Sequence, residues 1–236
     1  MPIGLIIVVA ILVVVLIGFI IFSATSYKRF VKTYYKYQNE NVASGYTGED
    51  VVVLIDEKYN LNLDIYYTNQ VLADSYYPFK NKLLLSKQTL TTSSVSSVAI
   101  AAHELGHAIQ KKRKNLLFIL SNILIVLYRI TSFLFFPALI AGIVLLIIPN
   151  YLNIGIIVIV SALSTLLLTH VIKLITIPIE YNASKIAYNF LEENYILNQN
   201  ELKHAKKLFS MAGQTYIASL SSGIVKFIKN FLYVIS

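Results

Sequence analysis

His103, Glu104 and His107 stand in the run AAHELGHAIQ, two imidazoles four residues apart with a carboxylate next to the first. On an α-helix, residues at i and i+4 lie one above the other, so both rings can offer a nitrogen to one cation from the same face. A Zn2+ ion held there lowers the pKa of a bound water to about 7, and Glu104 is placed to take the proton. The spacing thus implies one zinc ion, His103 and His107 as its ligands, Glu104 as the general base, and peptide-bond hydrolysis as the chemistry. Val98, Ala101, Ala102, Leu105 and Ile109 form an apolar stripe at helical period, leaving the histidines to project from the opposite side. Gly106 costs about 1 kcal/mol of helix propensity relative to alanine, so something is expected to approach the backbone there.

A catalytic zinc commonly takes three protein ligands, so one donor must come from elsewhere. His170 falls inside a hydrophobic run, where it could serve by hydrogen bonding to its neighbours. His204 sits among Lys203, Lys206 and Lys207 and reads as part of a solvated helix face. Glu180, in IPIEYNAS, is the stronger candidate because it is a lone carboxylate at the end of an apolar run. A surface glutamate favoured by a helix dipole is the competing reading.

The elements that must carry these residues are set by an unusually apolar composition. The chain is 56% hydrophobic and 14% charged, with a mean hydropathy of +0.66, whereas soluble domains carry about 25% charged residues. A multi-pass membrane protein is the expected class. The formal charge of +8 is assigned to residues flanking hydrophobic spans rather than to nucleic-acid binding. With no cysteine, thiolate ligands and disulfides are excluded.

Residues 3–22 are uncharged and long enough to span a bilayer, and Lys28, Arg29, Lys32 and Lys36 follow at once. Two further spans are expected at 131–148 and 154–177, joined by an uncharged loop at 149–153, with 116–128 too short to cross. Pro178 is expected to end the last span or to start the next helix. The basic residues then put the N-terminus outside and the active site on the cytoplasmic side of the cell membrane.

Between the first two spans, Thr47 and Asp50 predict a helix start running through about Tyr59. Leu61, Leu63 and Ile65 alternate like a strand, and 82–86 is a second short strand. After residue 180 the apolar positions Ile217, Leu220, Ile224, Phe227, Ile228 and Phe231 recur at helical spacing, which favours an interfacial helix. The domain reading is a transmembrane anchor at 1–25, a cytoplasmic catalytic region at 26–115, a membrane-embedded segment with two transmembrane helices at 116–178, and a cytoplasmic or interfacial helical tail at 179–236 carrying the third ligand.

Several ordered segments carry a resemblance: SGYTGEDV at 44–51, LADSYYP, KLLLS, AIAAHELGHAIQ, IPIEYNASKIA and ELKHAKKLFSMAGQTYIA. Together they resemble the YugP-type neutral zinc metallopeptidases, a family of bacterial membrane proteins. The resemblance implies a zinc peptidase with His103 and His107 as ligands, Glu104 as base and Glu180 as third ligand. That family usually has Asp where this chain has Asn182, and DHYDP where 74–78 reads DSYYP. Asn182 can still accept a hydrogen bond from a ligating imidazole, without the charge that would raise its basicity.

The expected fold is a mainly α multi-pass membrane protein, its transmembrane helices joined to a small α+β zincin-like catalytic region carrying the HExxH helix. The expected partners are a peptide or protein substrate, membrane proteins among them, and the lipid bilayer, with no nucleic acid. Tyr76 and Tyr216 are candidates to stabilise the oxyanion. The alternative is a non-catalytic membrane scaffold or quality-control factor with structural zinc. Such sites are usually closed by four ligands with cysteines among them, which this chain lacks.

Overall fold

In the computed structural model the described residues are 3–211, with some side chains of the long helices left out of the description. Seven helices and three strands follow in chain order: α1 (Ile3–Gln38), α2 (Gly48–Tyr59), β1 (Asp64–Thr68), β2 (Ser75–Tyr77), β3 (Lys82–Ser86), α3 (Lys87–Thr91), α4 (Val95–Lys112), α5 (Leu116–Ile147), α6 (Leu152–Glu193) and α7 (199–211) among the described residues. A single 3-10 turn, Pro78–Lys80, joins β2 to β3.

The chain divides into two compact units. One comprises Met1–Thr25, Ser121–Thr176 and Tyr216–Ser236; the other comprises Ser26–Leu120 and Ile177–Thr215. Within the first, Phe135, Ala162 and Leu166 form a small apolar cluster between α5 and α6.

The second unit holds the main core, with α4 at its centre. Its N-cap Ser94 accepts from the Ser97 amide at 3.2 Å. The serine-rich lead-in is buried, because Ser96 donates to the Tyr34 carbonyl at 2.8 Å and Ser97 bonds the Gln38 amide. Val98, Ala101, Ala102, Leu105 and Ile109 are all buried. Helix α2 starts at a reciprocal cap, in which the Asp50 amide donates to Thr47 Oγ1 and the Thr47 amide donates to Asp50 Oδ2 at 2.7 Å. It stops at Asn60, which takes the left-handed conformation at φ 49°.

The sheet order is β1-β3-β2, with β1 parallel and β2 antiparallel to the central strand. Leu83 and Leu85 of β3 are buried. The strand expected at 61–65 begins instead at Asp64, and its residues are mostly exposed. Leu61 buries its side chain from the preceding turn, so its alternation with Leu63 and Ile65 was a coincidence of packing rather than of pleat.

The multi-pass expectation is corrected. Among the described residues no helix is long and apolar enough to cross a membrane. What remains of the fold class is a mostly helical protein with a small three-stranded sheet. With the spans goes the support for the crossing topology. The separation expected between 116–128 and 131–148 is absent, since α5 runs unbroken. Nor does Pro178 end a helix, for α6 continues through it to Glu193. Proline costs about 3 kcal/mol inside a helix, and the segment after it buries Ile179, Ala183, Ala187, Phe190 and Leu191 in the core, which offsets that cost. The expected interfacial helix at the C-terminal end lies outside the described residues, as does Tyr216.

Candidate metal centre

Helices α4 and α6 bring three donors together within the second unit. Glu180 Oε2 lies 3.2 Å from His103 Nε2 and 3.3 Å from His107 Nε2. One ligand atom from each residue falls within 4.8 Å of the others. The two rings meet edge to face, with centroids 4.9 Å apart. His103 and Glu180 are buried and His107 is nearly so.

Gly106 makes this approach possible. A Cβ built there would stand 2.6 Å from the Ala183 carbonyl oxygen and 3.1 Å from its carbon, so the backbone of α6 lies directly on the glycine. Ala183 is three residues on from Glu180, and the carboxylate is thereby delivered to the imidazoles.

Both rings are held from behind. His103 Nδ1 lies 3.2 Å from Ser184 Oγ, and His107 Nδ1 lies 3.0 Å from Gln110 Oε1. The tautomer of His107 follows from the network: the Gln110 amide nitrogen already donates to the Ile179 carbonyl and to Asn182 Oδ1, each at 2.9 Å. Its oxygen must therefore accept, so His107 Nδ1 carries the hydrogen and Nε2 is free to bind a cation. Asn182 reaches the site only through Gln110, where an acceptor touching the imidazole itself was expected.

Gln110 and Ser184 were missed by sequence reasoning. Gln110 follows His107 by three residues, hence lies on the same helix face, and that was the available signal. Ser184 follows Glu180 by four on α6 in the same way.

Glu104 points to the sheet. The Tyr76 amide of β2 donates to Glu104 Oε2 at 2.8 Å. Burial pushes the Glu104 carboxyl up from its usual range, while the two histidines pull it down. Burial also opposes ionisation of Glu180, yet His107 and His103 beside it hold its carboxyl well below the usual range. For His107 burial disfavours the charged form, but the Glu180 carboxylate outweighs it and the ring is pushed up to about 9. Two imidazoles with one carboxylate form a donor set suited to zinc. Phe209 stacks on His103 at 6.1 Å and Phe118 lies 6.3 Å from His107, covering the rings with apolar surface.

His204 stands apart from this group. His204 Nδ1 pairs with Glu40 Oε1 at 2.8 Å and its ring stacks on Tyr37, so it has a separate partner. His170 lies on α6 in the first unit, and its side chain is outside the description. Tyr76 contributes its backbone to Glu104, while its hydroxyl donates to Asn81 Oδ1 at 2.9 Å.

Comparison with known proteins agrees with this chemistry. Residues 10–235 match the family described as "Putative neutral zinc metallopeptidase". A curated relative, "Putative membrane protease YugP" of Bacillus subtilis (strain 168), is 28% identical over 185 residues, covering 78% of this chain and 79% of the relative. No solved structure matches the chain. The chain belongs to the neutral zinc metallopeptidase family, and its cofactor is zinc.

Proposed function

We propose, from membership of this family and from the site, that the protein is a zinc endopeptidase in which His103, His107 and Glu180 hold the metal and Glu104 is the general base. The observation that carries this reading is the convergence of the three donors with Glu104 on the next residue of the same helix. When bound, zinc supplies Lewis acidity that makes water nucleophilic near neutral pH and polarises the scissile carbonyl. Glu104 takes the proton from the attacking water at its carboxylate and returns it to the leaving amine. The Tyr76 amide holds that carboxylate in place, and its upward-shifted pKa suits it to both halves of the transfer. Ser184 and Gln110 fix the imidazole orientations, and Asn182 supports Gln110. Phe118 and Phe209 keep bulk water from the donors.

We further propose that it acts at a membrane on peptide or protein substrates, membrane proteins among them. The relative's name speaks of a membrane protease. In the first unit large apolar side chains such as Phe133 and Ile147 are more than three-quarters exposed, surface that lipid would cover.

The test is Glu104→Gln in the purified full chain, assayed on casein with a parallel zinc count. The amide keeps the shape and loses the base, so zinc should stay bound while cleavage falls by a factor of 100 or more. Zinc-loaded wild-type protein inactive on every peptide tested would instead favour a non-catalytic zinc scaffold.

A further inference from the structure

Away from the metal, α1 and α7 border a groove of about 590 Å³. Four of its lining residues are cations, Arg29, Lys32, Lys36 and Lys207, and none is acidic. On α1 the first three are spaced at i, i+3 and i+7, so they share one helix face, where like charges repel. All four are exposed. Among the described residues no carboxylate lies within ion-pairing distance of any of them. Lys36 has a ring contact only, its ammonium 5.3 Å from the Tyr37 centroid. The nearby Glu40 is occupied by His204.

Four unpaired cations around one concavity are suited to an anion with several acceptor oxygens, and phosphate is the group that arginine and lysine engage together. Tyr35 and Met211 add apolar wall to the same groove, which a bare inorganic ion would not use. In sequence the basic positions follow directly on the uncharged residues 3–22. We propose that this groove binds the phosphate headgroup of an acidic phospholipid, with Arg29, Lys32, Lys36 and Lys207 as its ligands. The proposal rests on the membrane reading above and adds to it a headgroup preference and a location. It is independent of the metal centre.

The experiment is flotation of the purified full chain with neutral phosphatidylcholine vesicles and with vesicles containing phosphatidylglycerol, for wild type and for the fourfold variant R29Q/K32Q/K36Q/K207Q. A basic residue near an acidic surface is worth about fivefold in partition, so the variant should lose on the order of 600-fold on acidic vesicles and little on neutral ones. Circular dichroism and zinc content show whether the variant is folded. If it is not, R29Q/K32Q serves alone, with roughly a 25-fold loss expected. The charge-matched control K80Q/K87Q/K112Q/K114Q, outside the groove, should lose far less than the fourfold variant. Equal losses for groove and control would reduce the effect to net charge and overturn the site. Full competition by millimolar inorganic phosphate, with binding to phosphate in the absence of vesicles, would make the ligand a soluble anion and overturn the headgroup assignment. Vesicle binding indifferent to headgroup and to the four substitutions would overturn the site and leave the membrane reading standing. No binding to either vesicle would refute both.

Discussion

Substituting Gly106 by alanine tests whether helix contact, rather than ligand chemistry alone, sets the metal centre. Two effects oppose each other. Alanine favours the helix by about 1 kcal/mol, while a methyl forced against a packed neighbour costs about 1 to 3 kcal/mol. The new Cβ would meet the Ala183 oxygen at 2.6 Å, about 0.8 Å inside the 3.4 Å at which ordinary contact begins. That neighbour is backbone and cannot rotate away, so α4 and α6 must separate. Net destabilisation of the fold is then about 0 to 2 kcal/mol. Glu180, one helical turn from Ala183, moves with it, and a shift of that size exceeds the roughly 0.2 Å tolerance of a metal–ligand distance. Zinc affinity should fall at least about tenfold, equivalent to some 1.4 kcal/mol. Titration against a competing chelator measures the affinity, and thermal unfolding of the metal-free protein measures the fold. Wild-type zinc affinity in Gly106→Ala, together with an unchanged or raised unfolding temperature, would refute the reasoning.

Gln110→Ala should weaken zinc binding by about 10 to 100-fold, and Asn182→Ala by less, because Asn182 touches Gln110 and not the ring; the reverse order in a chelator competition would break that chain of support. Glu201 is buried and accepts from the Ala43 and Asn198 amides, each at 2.7 Å, so Glu201→Ala should destabilise the chain by about 3 kcal/mol in urea unfolding. Asp50 has its carboxyl held below its usual 3.8 by the Thr47 amide and hydroxyl. A depressed folded-state pKa contributes stability above about pH 4 that disappears as pH falls through the folded value. Wild type and Asp50→Asn should therefore converge in unfolding temperature toward pH 2 and diverge by pH 6; parallel curves would remove Asp50 from the acid response.

What could be read from the sequence was what depends on near neighbours. His103, Glu104 and His107 declare themselves because one helical turn places them together, and Thr47 with Asp50 does the same for the start of α2. Glu180 could be nominated by chemistry, but its arrival at the site depends on Gly106 meeting Ala183, a contact across the fold. Ser184 and Gln110 acquire roles only after that contact forms. Strand β2 is three residues long, and its service to Glu104 comes from a backbone N–H that leaves no mark in residue type. Pro178 suggested a boundary because local propensity was weighed without the core contacts made by Ile179 to Leu191. The apolar runs were legible as apolar, but among the described residues no helix is long and apolar enough to cross a membrane.

The separation of 77 positions between His103 and Glu180 also orders events in time. Closing so long a loop carries an entropic cost that grows as about 1.5 RT ln n, so contacts of this range form after local helices. While the chain is being made, the histidine pair emerges well before its carboxylate partner. In the proposed site two imidazoles alone are an incomplete donor set, so the three donors come together only once Glu180 of α6 has reached α4. The sequence distance between the donors thus sets the order in which the proposed site is completed.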